Sequence, residues 1–423
     1  MTVNLTSLPN GLRIVTDTAP SVETLAIGVW VGVGTRHEDP RENGIAHMLE
    51  HMMFKGTPTL NAKKISDLVE DAGGHFNAYT GKELTAYYIT ILNDHLDLTI
   101  DILSDILQNS IFPEDEIDRE RAVITQEIKM YDDSPDDMVF MNAQKHAFPD
   151  QSLGASGLGS AQVIEHIHKE NLDRYIRTHY APNRIVISAA GDINHDEFVN
   201  KIEHAFTHLP AQNSADTIPG LVTAQYAPTP TIHEKDTEQA HLILGFKGVS
   251  RLDPRHSTMR ILSSILGGGT SSRLWQEIRE KYGLVYDIHT FHDTYQDSGM
   301  FGMYAGTGPN ELEQLVPLAL DQIRSMRDSI TGQELARAKT QITSSVRMGR
   351  EKMMTRTDQQ GRYILGHGEA FNITEFVEKI NAVTAQDVTS LTAEMLQSEL
   401  LVSAYGPIGK LMPVDKIKEK LTT

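Results

Sequence analysis

Apolar and polar positions follow two alternating periods along this chain of 423 residues. Residues 24–33 are rich in small and β-branched apolar side chains, which predicts a strand. Residues 44–54 and 61–72 predict helices, the second ended by Gly73-Gly74. Residues 85–92 read as a strand, and 95–110 and 113–131 as long helices. Pro113, Glu114 and Asp115 suit a first helical turn, where a missing N–H costs nothing and negative charge meets the dipole. Residues 184–190 read as a buried strand ending at Gly191.

The stretch 210–231 breaks this rhythm. It carries Pro210, Pro219, Gly220, Pro228 and Pro230 among small polar residues, a linker composition. Beyond it the first half recurs. Thr35-Arg36-His37-Glu38-Asp39-Pro40-Arg41 matches Ser250-Arg251-Leu252-Asp253-Pro254-Arg255, a shift of 253 − 39 = 214. Ser188-Ala189-Ala190-Gly191-Asp192-Ile193 matches Ser403-Ala404-Tyr405-Gly406-Pro407-Ile408, a shift of 403 − 188 = 215. Two matches at nearly one offset, at opposite ends of the halves, predict a duplicated domain. The expectation is an α+β fold of two duplicated domains, each a mostly antiparallel sheet with helices packed mainly on one face. The expected layout is 1–210 as an N-terminal metal-binding domain, 211–231 as linker, and 232–423 as a homologous domain without metal ligands.

Composition narrows the chemistry. A hydrophobic share of 39% supports sizeable cores, and a formal net charge of −19 disfavours nucleic acid and anionic membranes as partners. With no cysteine, disulfides, thiol catalysis and Cys-held zinc are excluded, so a transition metal must sit on His, Asp or Glu. The N-terminus has no basic region followed by an apolar one, and no apolar run approaches the ~20 residues of a membrane span. A cytoplasmic, bacterial protein with no membrane insertion and no signal or transit peptide is expected.

The sharpest chemical signal is His47-Met48-Leu49-Glu50-His51. Spacing i, i+4 puts both imidazoles on one helix face, where two nitrogens can meet one tetrahedral zinc. Glu50 points partly off that face and can act on the attacking water, the H-x-x-E-H order. Alone, the pattern also fits a helix with two hydrogen-bonded histidines and a surface glutamate. A catalytic zinc needs a third protein ligand, and Glu120 and Glu127, seven apart on one predicted helix, are the candidates. The repeat supplies a control: at an offset of 214, His47, Glu50 and His51 fall on Ile261, Ser264 and Ile265. The second half keeps the helix and lacks the ligands, so the fold itself does not require them.

With these residues in view, the chain resembles the pitrilysin-like (inverzincin) metallopeptidases. It is most similar to the mitochondrial processing peptidase β-subunits and their bacterial relatives. The likeness rests on Gly44-Ile-Ala-His-Met-Leu-Glu-His-Met-Met-Phe-Lys-Gly-Thr57, on Asn77-Ala-Tyr-Thr80 with Thr85-Ala-Tyr-Tyr88, and on two blocks of the second half. Those blocks are Gly267-Gly-Gly-Thr-Ser-Ser-Arg-Leu274 and Arg279-Glu-Lys-Tyr-Gly-Leu-Val-Tyr286. Gly81-Lys82 departs from a Ser-Arg-like pair more usual there.

The resemblance implies one zinc ion per chain on His47, His51 and Glu127, supported by Glu120 without direct ligation. It implies Glu50 as general base, with Arg279 and Tyr286 holding the substrate carbonyl and oxyanion. A peptide would add as a strand at Asn77, Ala78 and Tyr79, in a clamshell chamber. The implied activity is that of a zinc-dependent endopeptidase, cytoplasmic and self-sufficient as a homodimer, with Arg279 and Tyr286 of one protomer facing the zinc of the other. The competing readings are a non-catalytic scaffold or assembly subunit of the same fold, and the active half of a heterodimeric peptidase. Without a P-loop lysine, residues 267–269 are not assigned to nucleotide. Arg273 and the three glycines are weaker candidates, equally consistent with an anion cradle and with a close backbone turn; His75, His289, His292, Met353-Met354, Lys63-Lys64 and residues 416–420 are assigned to packing or solvated surface.

Overall fold

A computed structural model of the protein describes residues 2–209 and 221–422; most of the expected linker, 211–220, therefore lies outside the described residues. Eleven strands are described: β1 (Thr2–Ser7), β2 (Arg13–Thr18), β3 (Thr24–Val31), β4 (His75–Thr80), β5 (Thr85–Leu92), β6 (Ile185–Gly191), β7 (Thr231–Glu234), β8 (Ala240–Lys247), β9 (Val285–Thr294), β10 (Gly299–Thr307) and β11 (Leu401–Gly406). The helices of the first half are α1 (Ile45–Met52), α2 (Ala62–Asp71), α3 (Leu96–Asn109), α4 (Glu114–Asp132), α5 (Pro135–Ala147), α6 (Ala161–Ile164), α7 (Lys169–His179) and α8 (His195–Ala205). Those of the second are α9 (His256–Gly267), α10 (Leu312–Ser325), α11 (Gly332–Gly349), α12 (Met353–His367), α13 (Ile373–Ala382), α14 (Ala385–Met395) and α15 (Val414–Thr422). Among the described residues, no helix is long and apolar enough to cross a membrane.

The strands form two sheets, ordered β1-β2-β6-β3-β5-β4 and β7-β11-β8-β10-β9. Each is antiparallel but for one pair, β2 with β6 and β7 with β11. The strand near the end of each half thus takes the same place in its sheet, and the chain is built of two similar α+β units, as the repeat predicts.

The units are not the two contiguous segments 1–210 and 232–423. The first comprises Met1–Ile128, Ala155–Leu221 and Met348–Phe371, and the second Lys129–Gly154, Val222–Arg347 and Asn372–Thr423. The exchanged pieces carry α12 and α5. In the first unit most helices pack on one face of the sheet, around Ile27, Val29, Ile89, Leu49, Leu103 and Ile187. α12 covers the reverse face, where Ile364, Met354 and Leu365 meet Trp30, Val15, Ala86 and Val186. In the second unit α5 does the same, with Val139, Ala143 and Ala147 against Ile243, Leu401 and Met300. This double coverage explains why β6, β8, β10 and β11 are buried along nearly their whole length, where a one-faced sheet would alternate.

Polar groups anchor α12. The carboxylate of Asp17, fully buried on β2, receives Arg350 Nη2 at 2.6 Å and Arg356 Nη1 at 2.9 Å. Asp358 accepts from Trp30 Nε1 at 3.2 Å and from the Tyr79 hydroxyl at 2.5 Å. Gly361 lies flat against the Trp30 ring: a Cβ there would stand 2.3 Å from its Cδ2.

Candidate functional site

Helix α1 has no side-chain cap of its own. Gly44 turns the chain into it at φ 103°, where a Cβ would also meet Leu158 O and Ile164 Cδ1 at 2.8 Å. Capping comes from Glu38 in the preceding loop. One carboxylate oxygen accepts from Gly44 N at 2.9 Å and Asn43 Nδ2 at 2.7 Å, and the other from Ala46 N at 2.8 Å. These bonds satisfy free N–H groups at the helix start and place negative charge at its positive end. Yet Glu38 is buried, and burial pushes its carboxyl up to about 7 against those same hydrogen bonds.

From α1, His47 and His51 turn their Nε2 atoms together, 3.3 Å apart. Glu127 comes from α4, its Oε2 3.7 Å from His47 Nε2 and 3.8 Å from His51 Nε2. A tetrahedral zinc with bonds of about 2.0–2.2 Å needs ligand atoms about 3.3–3.6 Å apart, so this triangle of two nitrogens and an oxygen is close to that required. Among the described residues no other group of three such side chains converges in this way. The observation that fits a cation is the convergence itself: two imidazole nitrogens and a carboxylate, aimed at one point from two helices.

Burial, with His51 alongside, lowers the pKa of His47 to about 4, so its imidazole is neutral near neutral pH and can ligate. Burial is the largest single influence on His51 and would lower its pKa too, but the hydrogen bond to Glu120 and the charges of Glu120, Glu50 and Glu127 together raise it. Glu120 Oε2 accepts from His51 Nδ1 at 2.8 Å, leaving His51 Nε2 to face the triangle. Glu120 Oε1 meets Lys55 Nζ at 2.5 Å. Burial opposes the charge on Glu120, but His51 and Lys55 together lower its pKa. His47 Nδ1 is buried with no hydrogen-bond partner, so this bracing falls on one imidazole only.

Glu50 is half-buried. Burial raises its carboxyl, partly offset by hydrogen bonds with Thr80 at the end of β4. That strand is one of the two edge strands of its sheet. Asn77 and Ala78 lie along it, the Ala78 N–H held by Asn77 Oδ1 at 2.8 Å. Tyr79 faces otherwise: its hydroxyl is committed to Asp358.

Arg279 and Tyr286 belong to the second unit, brought together by a π-helical turn at Trp275–Lys281 running into β9. The Arg279 guanidinium lies 4.3 Å over the Trp275 ring and donates to the Tyr286 carbonyl, while the Tyr286 side chain is 64% exposed. Ile261 and Ile265, the repeat counterparts of His47 and His51, are buried on α9 as core residues.

Three residues around α1 lie inside the matched blocks without a role read from them: Glu38, which caps the helix, Lys55, which meets Glu120, and Thr80, which meets Glu50. Lys55 had a signal, standing four residues past His51. Glu38 acts from a loop, where spacing carries no direction, and Thr80 from a strand end, where a period of two gives the face but not the partner.

Two family models match: "Insulinase (Peptidase family M16)" over residues 13–160 and "Peptidase M16 inactive domain" over residues 166–342. The chain is 38% identical over 403 residues to "Uncharacterized zinc protease YmxG" of Bacillus subtilis (strain 168), covering 95% of this chain and 98% of that protein. It is 32% identical over 430 residues to "Probable mitochondrial-processing peptidase subunit beta, mitochondrial" of Arabidopsis thaliana, covering 98% of this chain and 80% of that one. Its fold is shared with a Helicobacter pylori protease at TM-score 0.88 and 22% identity, over 95% of this chain and 99% of that one. It is shared too with a peptidase M16 inactive domain from Pseudomonas fluorescens at TM-score 0.89 and 20% identity, over 98% and 100%. The zinc-protease names of its relatives support a function of peptidase type and a zinc requirement. On the matched blocks, the near full-length identity to these relatives and the folded sheets, the chain belongs to peptidase family M16.

Proposed function

We propose that this protein is a zinc-dependent endopeptidase that binds one metal ion per chain through His47, His51 and Glu127. The observation that carries the reading is the convergence of those three ligand atoms at 3.3, 3.7 and 3.8 Å. Zinc, when bound, supplies Lewis acidity to the attacking water and the scissile carbonyl. The chain's own groups do the rest. Glu50 receives the water's proton on its carboxylate oxygen and returns it to the leaving amine. A carboxyl raised by burial is better matched to that exchange near neutral pH than an ordinary one.

The open edge of β4 at Asn77 and Ala78 takes the substrate backbone as an added strand, which favours extended peptides of varied sequence. Arg279 and Tyr286 are assigned to the substrate carbonyl and the developing oxyanion. They act from the partner protomer of a cytoplasmic homodimer, and the exposed Tyr286 phenol suits such a role. A zinc-free assembly subunit, the reading from another class, is disfavoured by the intact ligand triangle.

The test is metal content and cleavage of a quenched peptide by the purified chain. Glu50→Gln is expected to keep zinc and lose at least a hundredfold in kcat, and Glu127→Ala to lose zinc itself. Full turnover in the first variant, or unchanged metal in the second, overturns the assignment. Light scattering checks the dimer: a monomer that cleaves peptides rules out action from a partner protomer.

A further inference from the structure

We propose that Lys55 is a positioning residue for the metal centre, tying helix α1 to helix α4 through Glu120. The inference rests on the zinc reading above. The three ligands come from two separate helices, so their triangle closes only if α1 and α4 keep a fixed separation and register. Glu120 sits on α4 two turns before Glu127, on the same face. Its two oxygens are divided: Oε2 accepts from His51 Nδ1 at 2.8 Å, and Oε1 from Lys55 Nζ at 2.5 Å. Lys55 follows α1 by three residues, its backbone N–H bonded to Met52 O at 3.1 Å. The lysine therefore clamps α4 to the end of the helix that bears both histidines.

The geometry gives Lys55 a second effect. Glu50, Glu120 and Glu127 gather around one small region, and the Lys55 ammonium supplies a cation to that set. With Oε1 engaged by a charge-assisted bond, Glu120 is held to a single task, accepting from His51. A freed Glu120 could rotate and leave the imidazole unoriented. His47 has no comparable brace on Nδ1, so the orientation of the whole pair depends on the His51 side. Partners of metal-ligating histidines typically matter to affinity by about 10–100-fold.

The experiment measures zinc dissociation constants of the purified full-length chain by chelator competition, for wild type, Lys55→Met, Lys55→Arg, Glu120→Gln and the Lys55→Met/Glu120→Gln double variant. Thermal melts of the zinc-free proteins serve as the folding control. Lys55→Met is expected to weaken zinc binding about 10–100-fold with little change in the zinc-free melt, and Lys55→Arg to restore most of the affinity. In the Glu120→Gln background the lysine substitution should add little, because the clamp is already cut. Wild-type affinity in Lys55→Met, or losses that simply multiply in the double variant, overturns the proposal. If Lys55→Met fails to fold, Lys55→Arg and Glu120→Gln decide: wild-type affinity in Glu120→Gln overturns it equally. A wild-type protein that takes up no zinc overturns the metal-centre reading instead, a distinct outcome.

Discussion

Glu38 caps the helix that carries both histidines while lying out of water itself. Three hydrogen bonds favour its charged form and burial favours the neutral one; burial prevails, leaving the carboxyl at about 7 instead of 4.5. Lys82 moderates the shift, and Tyr175 faces the group from α7. The folded protein thus holds a proton that the unfolded chain releases. Its contribution favours folding fully below about pH 4.5 and is lost as pH rises to about 7, a swing of roughly 3 kcal/mol. Glu38→Gln should remove that slope, and unfolding free energies from denaturant titrations across the window, wild type against variant, would reveal it. Parallel slopes refute it. At this scale the candidate metal site was legible because helical spacing fixes direction: His47 and His51 four apart, Glu120 and Glu127 seven apart. Choosing between the two glutamates required the resemblance. Glu38 and Thr80 were not legible, because their partners are set by loop and strand-edge geometry.

At the scale of elements, α12 is the instructive case. Its sequence shows an apolar face, and Met353 is indeed buried, against Ala19, Ala26 and Ala190. Periodicity says that such a face needs a cover but not which sheet supplies it. The choice was made by specific groups far along the chain: Asp17 for Arg350 and Arg356, and Trp30 for Gly361 and Asp358. The indole cannot retreat from a new methyl group 2.3 Å away, so Gly361→Ala should force helix and strand apart. The expected loss is about 1–3 kcal/mol, read from the denaturant midpoint. An unchanged midpoint would mean that the helix does not lie flush on the ring. The segments bounded from sequence in the first half followed expectation closely, because strands such as β5 and helices such as α4 have strong local signals in Pro113, Glu114 and their apolar periods.

For the whole molecule, the repeat offset revealed the duplication, and equivalent strand placement in the two sheets accords with it. It could not reveal the exchange of α5 and α12, since offsets align segments without saying which sheet each joins. A fragment ending at residue 209 therefore lacks part of its own first unit. It leaves Trp30, Val15 and Val186 uncovered and strands the Asp17 carboxylate without its arginines. Such a fragment should bind a hydrophobic dye and melt without cooperativity, and a peptide of residues 348–371 should suppress the dye signal. Cooperative unfolding of the fragment alone contradicts this. The same dependence bears on biosynthesis. On the ribosome, every strand of the first sheet emerges well before the helix that roofs it, so a nascent chain must keep an aromatic, oily surface from sticking until translation nears its end. Vectorial synthesis thus delays completion of the first unit, and chaperones that shield young polypeptides have their longest watch over it.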